Sequence, residues 1–225
     1  MQMVHDGMAK HGFAFAALHQ TAGKGQRGRA WQAQPGKNIA LSVVIKTETL
    51  KAEQQFLLSM SVAMAVYEFI KKYVPEEVNI KWPNDIYWRN QKMGGILIEN
   101  IFNGTKWKWA VAGVGININQ TSFNKTLPNP VSMQQVTHRE FDVSKLCGEL
   151  HEKIMQRVEK LYLQPHDKLL KEYNRRLYKR NETVKLKKGN LTFETEITGV
   201  TLHGQLHTKD VMERHFNFGE VDWVL

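Results

Sequence analysis

The chain has 225 residues, 42% hydrophobic and 10% aromatic, enough for one sizeable core or for a main domain with a small satellite. Its net charge of +9 asks for an anionic partner, and nucleic acid, nucleotide phosphate or an acidic protein would each suit it. Cys147 is the single cysteine, which excludes an intrachain disulfide or a cysteine-cluster metal site and favours a reducing compartment. No apolar run reaches the ~18–20 residues of a membrane span. The stretch MQMVHDGMAKHG lacks the apolar core of a signal peptide, so a cytoplasmic protein away from membranes is expected.

In chain order, FAFAALH (13–19) predicts a strand that runs into the glycine-rich QTAGKGQRGRAW (20–31). NIALSVVIK (38–46), bounded by Pro35 and Gly36, predicts a second strand. Residues 52–73 change period: Phe56, Met60, Ala63, Tyr67 and Ile70 fall on one helical face, and Pro75 stops the run. Strands follow at 78–82, 85–89, 94–101 and 107–117, separated by Pro, Asn and Gly. This is an α+β unit around a mixed, largely antiparallel sheet.

After Asn119, Pro128 and Pro130 mark a surface loop. Val143, Leu146, Leu150, Ile154, Val158 and Leu161 form the apolar stripe of a helix over 143–161, and a second helix is expected over 166–178. The basic runs KLLKEYNRRLYKR (168–180) and KLKKG (185–189) read as solvated faces. From Glu182 the texture becomes short strands with glycine turns, the pattern of a small β-barrel. A boundary near residue 181 divides the chain into 1–181 and 182–225.

Gly23, Gly25 and Gly28 satisfy G-x-G-x-x-G, but a dinucleotide fold needs a helix opening at the third glycine. Here Pro35-Gly36 and a strand follow instead, and Gly28 precedes Arg29-Ala30 rather than Lys-Ser/Thr, so the Rossmann and Walker readings both fail. What remains is a loop whose glycines let the backbone wrap a ligand and whose Lys24, Arg27 and Arg29 suit phosphate or carboxylate oxygens. Their mutual repulsion favours a loop that orders over an anion, with Trp31 offering a flat face to a ring. A plain basic hairpin with Trp31 turned into the core explains the same residues.

IKWPNDIYWRNQKMGGILIE (80–99) places Lys81, Asn84 and Asp85 at a tight turn, with Lys92, Gly94 and Gly95 on the next strand. Two lysines beside a carboxylate, Asp85, and an amide suit phosphate chemistry with a divalent ion; an ordinary hairpin with charged ends explains the same residues. In GVGININ (113–119), Gly113 and Gly115 permit close approach, and Asn117 and Asn119 project to one side of a strand, where an amide can read a purine edge. An edge strand ending in a turn is the plainer account. His203 and His207 share one face if the region is a strand, without a third metal ligand.

Together these pieces resemble the biotin protein ligase family: QTAGKGQRGRAW is similar to its glycine-rich loop, KWPND (81–85) to its K-W-P-N-D element, KMGGILIE (92–99) to its K-x-x-G-I-L-x-E strand, GVGIN (113–117) to its G-x-G-I-N, and FNFGEVDWVL to the close of its C-terminal barrel. The resemblance runs from about residue 12 to the end. It implies a class II synthetase/biotin-lipoyl ligase-like catalytic domain over 1–181 and an SH3-like β-barrel over 182–225. It implies ATP-dependent biotinylation of a lysine on a biotin carboxyl carrier protein through biotinyl-5′-AMP, with Mg2+.

By the same resemblance Lys92 contacts the reacting carboxylate and α-phosphate, and Asp85 and Arg27 complete the catalytic set. Gln20, Gly23, Lys24, Lys92, Gly94 and Gly95 would line the biotin pocket. Lys24, Gln26, Arg27, Arg29, Trp31, Lys81, Asn84 and Asn117 would bind ATP. Some relatives have arginine where this chain has Lys24 and Gln26, which changes two-pronged phosphate contacts into single ones. Relatives also carry a D-S-T-N-like segment ahead of the first helix, and nothing like it precedes MQMVHDGMAKHG. There is no room before Phe13 for a helix-turn-helix domain, so sequence-specific DNA binding is not expected. A lipoate–protein ligase is the enzymatic alternative; a catalytically impaired binding module is the other. A sheet edge through GVGININ is expected to receive either the carrier domain or a second subunit of a homodimer.

Overall fold

The computed structural model describes residues 2–224. Six strands, β1 (Ala14–Ala16), β2 (Asn38–Lys46), β3 (Val78–Lys81), β4 (Asp85–Trp88), β5 (Gln91–Asn103) and β6 (Lys106–Asn117), pair antiparallel in the order β1-β2-β6-β5-β4-β3. The β-branched run of β2 alternates as a strand must: Ile39, Leu41, Val43 and Ile45 enter the main core, while Ala40 and Ser42 point to the opposite face. The strand expected over 13–19 shrinks to three residues paired with β2.

The helices are α1 (Gln2–His5), α2 (Gln55–Tyr73), α3 (Met133–Thr137), α4 (Val143–Leu163) and α5 (His166–Asn174). α4 buries the six-residue stripe read from its sequence. α2 differs from its single-face expectation: Leu57, Leu58, Val62, Met64, Ala65 and Val66 are buried as fully as Met60, Ala63 and Ile70. The reason is position, because α2 lies between the sheet on one side and α4 and α5 on the other. Helix α5 stops at Asn174, and the chain then runs parallel to β3, with Ile80 N–H donating to Arg176 O and Tyr178 N–H to Ile80 O. The exposed Lys168, Lys171, Arg175, Arg176 and Arg180 are solvated, as expected.

The expected surface loop after Asn119 is only partly that. Val131, Ser132 and Met133 are buried, and Ser132 caps α3 by accepting from Gln135 N–H while the Gln135 side chain accepts from Ser132 N–H. The Ser-x-x-Gln capping box was present in the sequence at 132–135 and went unread.

The remaining strands, β7 (Thr183–Lys188), β8 (Leu191–Val200), β9 (Leu206–Lys209), β10 (Glu213–Phe216) and β11 (Asp222–Val224), form a second antiparallel sheet, ordered β10-β9-β8-β7-β11, where the sequence predicts a small barrel. Its Leu186, Ile197, Val200, Leu206 and Phe216 join the same apolar core as the main sheet. Trp82, 2% exposed, ties the two sheets by donating its indole N–H to Gly204 O at 2.9 Å.

Candidate active site

Strand register builds the site floor. Ala40 on β2 stands opposite Gly115 on β6, Gly115 opposite Gly95 on β5, Gly95 opposite Asp85 on β4, and Asp85 opposite Lys81 on β3. The neighbouring row runs Phe15, Ser42, Gly113, Leu97. Small residues in adjacent rows leave a trough on a surface that side chains would otherwise fill. The result is a cavity of about 300 Å³ bounded by these rows, by Gln20, Lys24, Gln26 and Trp31 from the glycine loop, and by Lys92 and Glu99 from β5. Larger, more open hollows of about 470 and 540 Å³ lie beside Glu48 and Tyr162, without a glycine floor.

Lys92 reaches this face through a bulge. Ile86 pairs with Gly94, but the next residue, Tyr87, pairs with Lys92, so Met93 is the extra residue of β5. Unbulged pairing would set Met93 opposite Tyr87 and send Lys92 to the other face. Met93 instead drops fully buried into the core, and Lys92 Nζ lies 2.7 Å from Asp85 Oδ1. The residue before the bulge is held by a neighbouring segment, with Lys92 N–H donating to Asn129 O and Val131 N–H to Lys92 O.

The glycine loop is a short hairpin closed by its own backbone. Gly25 N–H donates to Arg29 O, Trp31 N–H to Gly23 O, and a 3-10 turn spans Gln26–Gly28 with Arg27 in the left-handed region at φ 56°. No long helix follows the third glycine, as the sequence required. Gly23 is needed for approach: a Cβ there would come within 2.4 Å of Trp31 O. Trp31 folds over Gly115, and its buried indole N–H has no hydrogen-bond partner among the described residues. A ligand acceptor in the cavity would satisfy that donor.

Lys81 is buried beside the row's end, its Nζ 5.0 Å from the ring centres of both Tyr87 and Trp223. Burial is the main cause that pushes its ammonium down to about 8; Asp85 and Asp222 pull it up, and Lys92 and Arg29 push it further down. Its cation is therefore weakly held and gains from any added anion.

Of the residues named from sequence, Gln20, Lys24, Gln26, Trp31, Asn84, Asp85, Lys92 and Gly95 line the cavity. Gly23, Arg27, Arg29, Lys81, Gly94 and Asn117 do not. Asn117 is 5% exposed, and its amide nitrogen donates to Val131 O and Lys92 O, which anchors the 131 segment. Gly94 serves strand approach, since a Cβ there would meet Gly115 O at 2.9 Å. Asn84 spends its amide on Ile96 O at 2.7 Å and so fixes the KWPND turn. Arg27 reaches Asp222 instead of the cavity. Two expectations fail on topology. β6 lies between β2 and β5, so GVGININ offers no free edge to a partner. His203 stands in a turn, while His207 stacks on His215 at 4.3 Å.

Glu99 and Phe15 line the cavity without having been singled out. The signal for Glu99 was alternation along β5, which puts residues 95, 97 and 99 on one face. Among the described residues no three His, Cys, Asp or Glu side chains gather as metal ligands. Asp85, already in contact with Lys92, fits Mg2+ only as one oxygen beside phosphate oxygens, the ion's common manner of binding.

Residues 6–117 match the Biotin/lipoate A/B protein ligase family, a span that holds the glycine loop, the KWPND turn, Lys92 and the glycine floor. The chain belongs to that family. Among relatives of this ligase-family chain, a biotin–(acetyl-CoA-carboxylase) ligase from Mycobacterium tuberculosis is 32% identical over 152 residues, 64% of this chain and 55% of that protein. The chain spans about half or less of the length of the curated relatives it matches. The biotin protein ligase of Aquifex aeolicus in complex with biotin and ATP superposes with a TM-score of 0.80 at 21% identity, covering 95% of this chain and 89% of that one. The Leishmania major biotin protein ligase in complex with biotinyl-5-AMP gives 0.62 at 19% identity, covering 91% and 88%. At these identities the likeness establishes the ligase fold, sheet and small second sheet together.

Proposed function

We propose that this chain biotinylates a specific lysine of a biotin carboxyl carrier domain in two ATP-dependent steps. The observation that carries the reading is the Lys92–Asp85 pair at the end of a glycine-floored cavity covered by a cationic loop. In the first step a biotin carboxylate oxygen attacks the α-phosphorus of ATP, the bond from that phosphorus to the β-phosphate bridging oxygen breaks, and pyrophosphate leaves. In the second the neutral amine attacks the acyl carbon of biotinyl-5′-AMP, the bond to AMP breaks, and the nitrogen loses one proton.

Lys92 neutralises the charge that grows between the carboxylate and the α-phosphate, where a preorganised cation is worth most. Lys24, with Gln26, Arg27 and Arg29 behind it, faces the phosphates, and Lys81 adds charge from the end of the floor row. Trp31 covers the adenine and offers its free N–H. Gln20, Gly95 and the apolar wall formed by Phe15 and Leu97 hold biotin, while Gly23 and Gly94 keep the loop and strands close enough to do so. Asp85 orients the carrier amine, and with phosphate oxygens would hold Mg2+, which would offset triphosphate charge. The closed hairpin keeps water from the anhydride.

Residues 1–181 form the catalytic unit in this reading and 182–225 a small accessory unit. The cytoplasm is the proposed compartment, from the lone Cys147; among the described residues no helix is long and apolar enough to cross a membrane. A carrier domain or a second copy that adds a strand would find the outer edge of β1, not β6.

The test is biotin-dependent ATP–pyrophosphate exchange, with lipoate as control. Exchange with biotin alone supports the reading. Exchange with lipoate alone would replace it by the lipoate ligase alternative, and none with either would favour a binding module.

A further inference from the structure

The closing segment of the second sheet touches the site at two places that the ligase reading leaves unassigned. Asp222, the first residue of β11, lies 3.4 Å from Arg27 at the tip of the glycine loop, and Gly219 sits beneath the same guanidinium, where a Cβ would come 3.7 Å from Arg27 Cζ. The next residue, Trp223, places its ring 5.0 Å from Lys81 Nζ, opposite Tyr87 at the same distance, so the ammonium is enclosed between two aromatic faces. Trp223 is itself backed by Tyr178 at 5.7 Å, and Phe218 meets Trp82 of the KWPND turn at 6.5 Å.

We infer that Asp222 and Trp223 are positioning residues for the nucleotide end of the site: Asp222 holds Arg27 and with it the glycine loop, and Trp223 holds Lys81 at the end of the floor row.

Two cations on different parts of the main domain are thus set by consecutive residues of one strand. Alternation along β11 sends the two side chains to opposite sides, so one strand can serve both. The Arg27–Asp222 pair is solvent-exposed, at 49% and 63%, and such a pair adds little to global stability. It is suited to biasing a loop between open and closed by a few-fold, which a stronger contact would freeze. The Lys81 enclosure is dry, and there a cation over aromatic faces is held more firmly. A triphosphate arriving over the floor would meet a loop and a lysine already held in place. The two residues touch Arg27 and Lys81, which the ligase reading gives to the nucleotide, and not Phe15 or Leu97, which it gives to biotin, so the second sheet would act on ATP rather than on biotin.

This inference rests on the ligase reading for its kinetic arm only. In that arm Asp222→Asn and Trp223→Leu each raise the KM for ATP roughly three- to thirtyfold, with kcat and the KM for biotin held within about twofold. Asp222→Glu and Trp223→Phe restore most of the loss, because each keeps the charge or the ring. Equal rises for ATP and biotin together with a lowered Tm would show that β11 merely supports the fold, and would overturn the inference. The second arm needs no activity. Brief trypsin treatment of the whole folded chain should cut after Arg27 and Arg29 about two- to fivefold faster in Asp222→Asn, while acetic anhydride should label Lys81 faster in Trp223→Leu, both read by mass spectrometry. Unchanged cleavage and labelling sink the inference even if the enzyme is active. If the unsubstituted chain exchanges no pyrophosphate, the ligase reading fails, and these two measurements still decide whether β11 holds the loop and Lys81.

Discussion

The indole of Trp31 occupies the space that a side chain at residue 115 would need: a Cβ on Gly115 would stand 2.5 Å from Trp31 Cε2. Gly115→Ala must therefore displace the ring or the strand, and overpacking of that kind costs about 1–3 kcal/mol. Because the loop is the softer partner, the displacement falls on Trp31. ATP affinity measured by calorimetry should drop by about tenfold, with a small fall in Tm. Unaltered ATP affinity would mean that Trp31 is not the adenine cover.

Lys92→Ala removes the cation at the reacting centre. Exchange activity should fall on the order of a hundredfold or more, while Tm changes little, because a partly exposed ion pair contributes at most about 1 kcal/mol. A variant that keeps most of its exchange rate would shift the catalytic role to Lys24 or Lys81.

Lys81 sets a pH dependence of definite sign. Burial pushes its folded ammonium down to about 8, below the ordinary lysine value of 10.5, so the folded chain binds fewer protons than the unfolded chain between those two values. The burial penalty is present in full below pH 8 and is relieved as pH rises from 8 toward 10.5, adding stability from this group. ATP binding should move the opposite way, weakening above pH 8 as the cation is lost. Lys81→Met should flatten both slopes, and chemical denaturation and ATP titration across pH 7–10, ranges about that value, would read them.

Trp82→Phe removes the indole donor from Gly204 O and leaves a carbonyl between the sheets without its partner. Losses of this type cost about 1–3 kcal/mol. Hydrogen exchange should show faster labelling at the turn around Gly204 than in α2, whose helix hydrogen bonds lie in the core. Uniform labelling would mean that Trp82 supports the main sheet alone.

Sequence alone determined a good deal, and for a physical reason: local patterns encode local structure. The β-branched run of NIALSVVIK after Pro35-Gly36 gave β2 its bounds, the six-residue stripe gave α4 its buried face, and the proline-glycine pair after GKGQRGRAW excluded the dinucleotide helix. The motifs KWPND and KMGGILIE also pointed to the cavity wall, because the turn residues and the residues that line the cavity lie within a few positions of each other. What only the tertiary structure decided depends on register and layering between distant segments. Nothing local says that Met93 is a bulge residue, yet that residue turns Lys92 toward Asp85. The row Ala40, Gly115, Gly95, Asp85, Lys81 joins five strands spread over nearly eighty residues, and no window of sequence contains it. Asn117 donates its amide N–H to Val131 O, a partner visible only once the 131 segment and α3 are in place. Arg27 and Asp222, 195 residues apart, meet because the second sheet shares its core with the first.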